Sequence, residues 1–80
     1  MTAAAIIKAH QYLYYVQSNP LWTDLDYDAF CHAFGIQGGG GSDCASHYAP
    51  EIVRLAEEMC IMPHRYTLAH CILQCAPKCI

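Results

Sequence analysis

The chain has 80 residues, of which 55% are hydrophobic and 14% charged, with a formal net charge of −3. That balance excludes a disordered polyampholyte, and it argues against a nucleic-acid backbone as direct partner: Lys8, Arg54, Arg65 and Lys78 are too few and too scattered to neutralise a row of phosphates. A chain this short makes one domain that buries only about 60–65% of its unfolded surface, so a ligand or a second copy would add needed stability.

A first helix is predicted from the recurrence of Ile6, Ala9, Leu13 and Val16 at helical spacing, with Lys8, Gln11 and Tyr15 on another face. It should end near Gln17, because Ser18-Asn19-Pro20 is turn chemistry and proline biases its predecessor away from the helical region. Thr23 is a natural N-cap for a second helix, with Asp26 in a weaker form of the capping box. That helix should run to about Phe34, where Gly35 stops it. Tyr27, Phe30, Cys31 and Phe34 share one of its faces, while Asp24, Asp28 and His32 stand at successive turns of another.

Residues 36 to 49 change character. Gly38-Gly39-Gly40-Gly41-Ser42-Asp43 reads as a flexible connection, with no preceding strand and no Gly-Lys-Ser/Thr to make it a phosphate loop. Asp43, Cys44, Ser46 and His47 at its exit are placed to meet a ligand held by the first hairpin. Pro50 then opens a third helix, apolar through Ile52, Leu55, Ala56 and Met59 and wet through Glu51, Arg54, Glu57 and Glu58. Met62-Pro63-His64 breaks it. A last helix is predicted from about His64 to Cys75, apolar on most sides, with Pro77 beyond its end. The expected architecture is a small all-α single domain over residues 1–80: a helical hairpin at 3–35, a Gly-rich linker at 36–49 and a second helical pair at 50–76.

The segment from His10 to Asp28 is the densest in ring faces and carboxylates. Tyr14-Tyr15-Val16, then three residues, Pro20, three residues, Asp24, two residues and Tyr27-Asp28, resembles the N-terminal Ia domain of bacterial NAD-dependent DNA ligases, whose pattern runs YYV-x-D-x-P-x-x-x-D-x-x-YD. The likeness covers roughly residues 5 to 34, and Ser18 stands where the family has an acid. In that family the domain closes over the nicotinamide mononucleotide half of NAD. The resemblance therefore implies that Tyr14, Tyr15, Asp24, Tyr27 and Asp28, with His10 at the start of the motif, contact NMN or an NAD-derived nucleotide.

Elementary chemistry is compatible with such a ligand. An oxidised nicotinamide ring is cationic, so each aromatic face contributes about 0.5–2 kcal/mol by cation–π attraction, and carboxylates balance the charge and accept ribose hydroxyls. The same residues also have a purely structural reading. Tyrosines at helical spacing are commonly core rings with a wet hydroxyl, and aspartates in a first turn are favoured by the helix dipole alone.

No metal is expected. His64, His70, Cys71, Cys75 and Cys79 offer soft ligands, but no paired C-x-x-C knuckle is present, and small buried cysteines pack like alanine. Nor is catalysis expected. The ligases adenylate a lysine in a K-x-D-G motif on a separate domain, and this chain has neither; a cysteine nucleophile with His32 or His47 as base has no defined spacing behind it.

The opening residues lack a basic n-region, no run approaches the roughly 18 apolar residues of a membrane span, and the six cysteines are expected as reduced thiols in a cytoplasmic protein. The functional expectation is non-catalytic binding of a nicotinamide or ADP-ribose type nucleotide, either sequestering an NAD-derived signal, as small viral counter-defence proteins do, or working beside an enzyme. The competing expectation is a helical interaction module that keeps the shape of the ligase Ia domain and docks on a partner or on itself. The apolar surplus of the last helix points to a homodimer, since its side chains exceed what one core stripe can hide.

Overall fold

The computed structural model describes residues 2–36 and 41–75. Among these the chain forms four α-helices and no strand: α1 Ala3–Gln11, α2 Asp24–Ala33, α3 Pro50–Ile61 and α4 Leu68–Cys75. The fold is all-α, as the sequence pattern predicts. A π turn over Tyr12–Val16 prolongs α1, and short 3-10 turns occupy Ala45–His47 and Pro63–Arg65. Gly38 to Gly40, the middle of the expected linker, and Pro77 lie outside the described residues.

Helix ends follow local chemistry. Thr2 Oγ1 accepts the Ala5 amide at 3.2 Å and Thr23 Oγ1 accepts the Asp26 amide at 3.1 Å, each satisfying a first-turn N–H that has no partner inside the helix. α3 opens on Pro50, where a missing N–H costs nothing. Past α2, Gly35 takes a φ of +63° and its amide bonds the His32 carbonyl at 3.2 Å, a left-handed stop that a residue without Cβ adopts freely.

The first helical run ends at Val16, close to the expected Gln17, but its last turn is wound more widely than the regular spacing implies. The Gln17 amide reaches back five residues to the Tyr12 carbonyl at 3.2 Å, and the Asn19 amide reaches six residues to Leu13 at 2.8 Å across Ser18, whose φ is +52°. A π turn admits an extra residue and so shifts every later side chain around the axis. Tyr12 and Leu13 enter the core, while Tyr14 and Tyr15 remain 48% and 38% exposed.

α1 is the central element and packs on all three other helices, most extensively on α3. Of its expected stripe, Ile6, Ala9 and Leu13 are buried in one core with Phe30 from α2 and Ala56 and Met59 from α3, while Val16, at the end of the widened turn, is only half-buried against that core. The last helix starts later than predicted. Tyr66 and Thr67 separate the 3-10 turn from α4, because the Tyr66 carbonyl is taken by the Trp22 indole N–H at 2.8 Å and Thr67 Oγ1 caps the His70 amide at 3.3 Å. α4 is peripheral: Cys71 is buried, Leu68, Ile72 and Cys75 are half-buried, and Leu73 is 78% exposed. No helix among the described residues is long and apolar enough to cross a membrane.

Candidate functional site

The ligand-facing expectation divides when its residues are located. Tyr15, at the end of the π turn, and Tyr27, on α2, come together around Gln11, whose Nε2 donates to the Tyr27 hydroxyl at 3.1 Å. A third ring joins from the loop after the glycines. Gly41 lies so close over this group that a Cβ there would stand 2.9 Å from Gln11 Cβ, from Tyr15 Cδ2 and from the Tyr48 hydroxyl. Only glycine permits that approach. Tyr48 is itself fixed, donating to the Ser42 carbonyl at 2.6 Å and meeting the Tyr12 ring edge-on at 5.3 Å. Burial raises the Tyr27 and Tyr48 phenols above their ordinary value, so both hydroxyls are neutral donors at physiological pH.

Around this group, Tyr14 meets Tyr15 edge to face, with centroids 4.8 Å apart, and stands out towards solvent. Asp24 and Asp28 are exposed one turn apart on α2. Asp28 lies near enough to Cys31 that its charge adds to burial, the larger cause, in raising that thiol. The result is a partly exposed set of phenol rings and hydroxyls, with Asp24 and Asp28 exposed on the helix that supplies Tyr27.

His10 does not share this surface. Its ring is 5% exposed and stacks on Trp22 at 3.8 Å, with the planes tilted by 32°. Burial lowers its pKa to about 4, and Nε2 has no hydrogen-bond partner among the described residues. The structure places this member of the motif in the core as a neutral packing ring.

The segment after the glycines, expected to be plain connection, is built where it is described. Ser42 Oγ lies 2.6 Å from His47 Nδ1 and accepts the Cys44 amide at 3.1 Å. Cys44 Sγ lies 3.0 Å from Ser46 Oγ, and that hydroxyl, followed by backbone amides, lowers the pKa of this exposed thiol. His47 is thus engaged by a serine and not by a cysteine. Cys31, Cys44, Cys60, Cys71 and Cys75 are free thiols, and no group of three metal-ligating side chains comes together among the described residues; Cys79 lies outside them.

Two participants escaped the sequence reading. Tyr48 belongs to no helical periodicity and is brought in only by the tertiary path of the loop. Gly41 looks like one of four interchangeable glycines, and nothing local marks it as the one that packs. No protein-family model matches the chain, and no curated protein or solved structure matches it. The ligase resemblance therefore rests on the motif itself.

Proposed function

We propose that this domain binds the nicotinamide half of a nucleotide, NMN, NAD or an ADP-ribose type derivative, on the surface formed by Tyr15, Tyr27, Tyr48 and Tyr14 with Asp24 and Asp28 at its border, and that it holds the nucleotide without transforming it. One observation carries the reading: Tyr15 and Tyr48 meet at Gly41 and Tyr27 joins them through Gln11, so that partly exposed rings from three separate segments come together, with Asp24 and Asp28 exposed on the helix that carries Tyr27. Half-exposed ring faces suit a flat cationic heterocycle, phenol hydroxyls suit ribose oxygens, and Asp28 supplies the opposite charge. Such binding is a form of sequestration, of use against an NAD-derived signal or beside an enzyme that consumes one.

Thermal melting tests this. A ligand at 100 times its dissociation constant adds about 2.7 kcal/mol to stability, so the correct nucleotide should raise Tm by several degrees in a domain of this size. Tyr15→Ala and Asp28→Asn should abolish the rise while preserving the helical circular dichroism. Absence of any shift with NMN, NAD and ADP-ribose at millimolar concentration would refute the reading. Mass spectrometry after incubation with NAD and magnesium should find both cofactor and chain unchanged; an added adenylate or released nicotinamide would replace binding with catalysis.

A second reading, favoured by the outer face of α4, is a docking module. Leu73 is 78% exposed on a helix that buries only Cys71 fully, and a second copy of the chain is the occupant a homodimer would supply. Light scattering should then give twice the chain mass, and Leu73→Glu should return it to the monomer.

A further inference from the structure

A cleft lies on a different flank of α2 from Asp24 and Asp28. Successive helical residues turn by about 100°, so Asp26 projects roughly 200° around the axis from Asp24. One wall is made by Leu21, Trp22 and Asp26, the other by Pro63, Thr67 and Leu68, and they enclose about 410 Å³. The walls are pinned to each other, because the Trp22 indole N–H donates to the Tyr66 carbonyl at 2.8 Å while His10 stacks behind the indole at 3.8 Å. A cleft held open by a buried hydrogen bond is prepared for an occupant before the occupant arrives.

Its chemistry is uneven. Leu21, Pro63 and Leu68 are apolar, and the Thr67 hydroxyl oxygen is already engaged as the cap of α4. Asp26 is half-buried, its backbone amide is taken by Thr23, and its carboxylate accepts no hydrogen bond from the described residues. A half-buried carboxylate beside apolar walls, with no partner among the described residues, is open to a cationic donor. Of the other titratable side chains of the lining, His64 is exposed and Tyr66 is buried, its hydroxyl donating to the Glu58 carboxylate. Apolar walls that end in one unpaired acid match a side chain with a long hydrocarbon stem and a cationic head. Guanidinium fits better than ammonium, since its planar fork can give two parallel N–H bonds to one carboxylate. A net charge of −3 favours the approach of such a group.

We propose that this cleft docks an arginine side chain presented by a peptide partner, with Asp26 receiving the guanidinium and Leu21, Pro63 and Leu68 receiving its stem. The site is independent of the nucleotide reading and uses none of its residues.

Trp22 is the one tryptophan of the chain and lines the cleft, so its emission reports occupancy directly. The probe is acetyl-Leu-Arg-Leu-amide, and its control is the same peptide with citrulline, which keeps size and shape but loses the charge. The expected result is a saturable change in Trp22 emission with the arginine peptide, with at least about tenfold weaker binding for the citrulline peptide, for Asp26→Asn and at high salt. Asp24→Asn, on the other flank, should leave the titration unchanged. Equal binding of both peptides, undiminished binding by Asp26→Asn, or a flat titration to tens of millimolar would overturn the proposal. Should Asp26→Asn fail to fold by circular dichroism, the comparison of the two peptides on the parent protein decides alone.

Discussion

Two groups of aromatic side chains, both assembled largely by the first two helical segments, reach opposite ends. His10, Trp22 and Phe30 are buried, with Trp22 and Phe30 centroids 5.2 Å apart. Tyr15, Tyr27 and Tyr48 are partly exposed and tied through Gln11, Gly41 and Ser42. The difference lies in what each polar atom can reach. Trp22 has one N–H and finds the Tyr66 carbonyl across the fold, so the whole ring can be buried. A phenol hydroxyl both donates and accepts, and it is most easily satisfied at the boundary with water. Rings in one short motif are thereby sorted into a stabilising cluster and a surface available for chemistry.

The sharpest way to break that comparison is to truncate one ring from each group. Trp22→Ala removes a buried indole and its hydrogen bond to the Tyr66 carbonyl in the α3–α4 connection, which should cost about 3–5 kcal/mol, a large share of the stability of an 80-residue domain. Tyr15→Ala should cost under about 1 kcal/mol, as substitutions of part-exposed side chains outside the core commonly do. Urea denaturation measures both. Similar losses at the two positions would abolish the distinction between core and surface rings.

Acid tests the buried group next. His10 takes its proton at about 4 in the folded chain, against 6.5 for the ordinary value, because burial penalises the imidazolium. The unfolded chain therefore binds this proton first as pH falls. The stabilisation from keeping the ring neutral is fully present above pH 6.5 and is lost progressively as pH falls towards 4, amounting in total to about 3 kcal/mol. Urea midpoints across that range should fall with pH, and His10→Leu should remove most of the slope. A slope unchanged in His10→Leu would mean that other groups carry the acid sensitivity.

On the open side, Gly41→Ala inserts a methyl group 2.9 Å from three neighbouring atoms, two of them on the rings of the proposed nucleotide surface. The loop must lift, at about 1–3 kcal/mol. Any nucleotide-induced rise in Tm should disappear along with the loop's contact to Tyr15. A stable variant that still responds to nucleotide would show that Tyr48 and the loop are not part of the surface.

Much of the fold was legible. Thr23, Gly35 and Pro50 marked boundaries because capping and left-handed geometry depend on residue type over a few positions. Ile6, Ala9 and Leu13 revealed the buried stripe because their spacing is helical. The π turn was not legible: YLYYV reads as ordinary helix, and the wider winding accompanies burial of Tyr12 and Leu13, which local spacing does not record. The delayed start of α4 depends on a hydrogen bond from Trp22, 44 positions away, which no local pattern records. For the site, the motif brought Tyr15, Tyr27 and Asp28 to attention, but it could not separate His10 from them, since burial is decided by what packs on the other side of the helix.

The junction between the two aromatic groups offers the finest adjustment. Ser18, two residues past the π turn, has a φ of +52°, and the Asn19 amide that follows it bonds the Leu13 carbonyl at 2.8 Å. An L-residue with a Cβ in this left-handed conformation carries about 1–2 kcal/mol of strain. Glycine relieves it, yet glycine also loses roughly 0.5–1 kcal/mol more backbone freedom on folding. The two effects nearly cancel, leaving Ser18→Gly more stable by a few tenths of a kcal/mol up to about 1 kcal/mol. Ser18→Val should go the other way, because a branched side chain fits this region worst. If the π turn is what divides Tyr12 and Leu13 from Tyr14 and Tyr15, both variants should change the urea midpoint in these opposite senses while the response to nucleotide is retained in the glycine variant. A destabilised Ser18→Gly would instead mean that the serine side chain, and not the backbone geometry it tolerates, holds the turn.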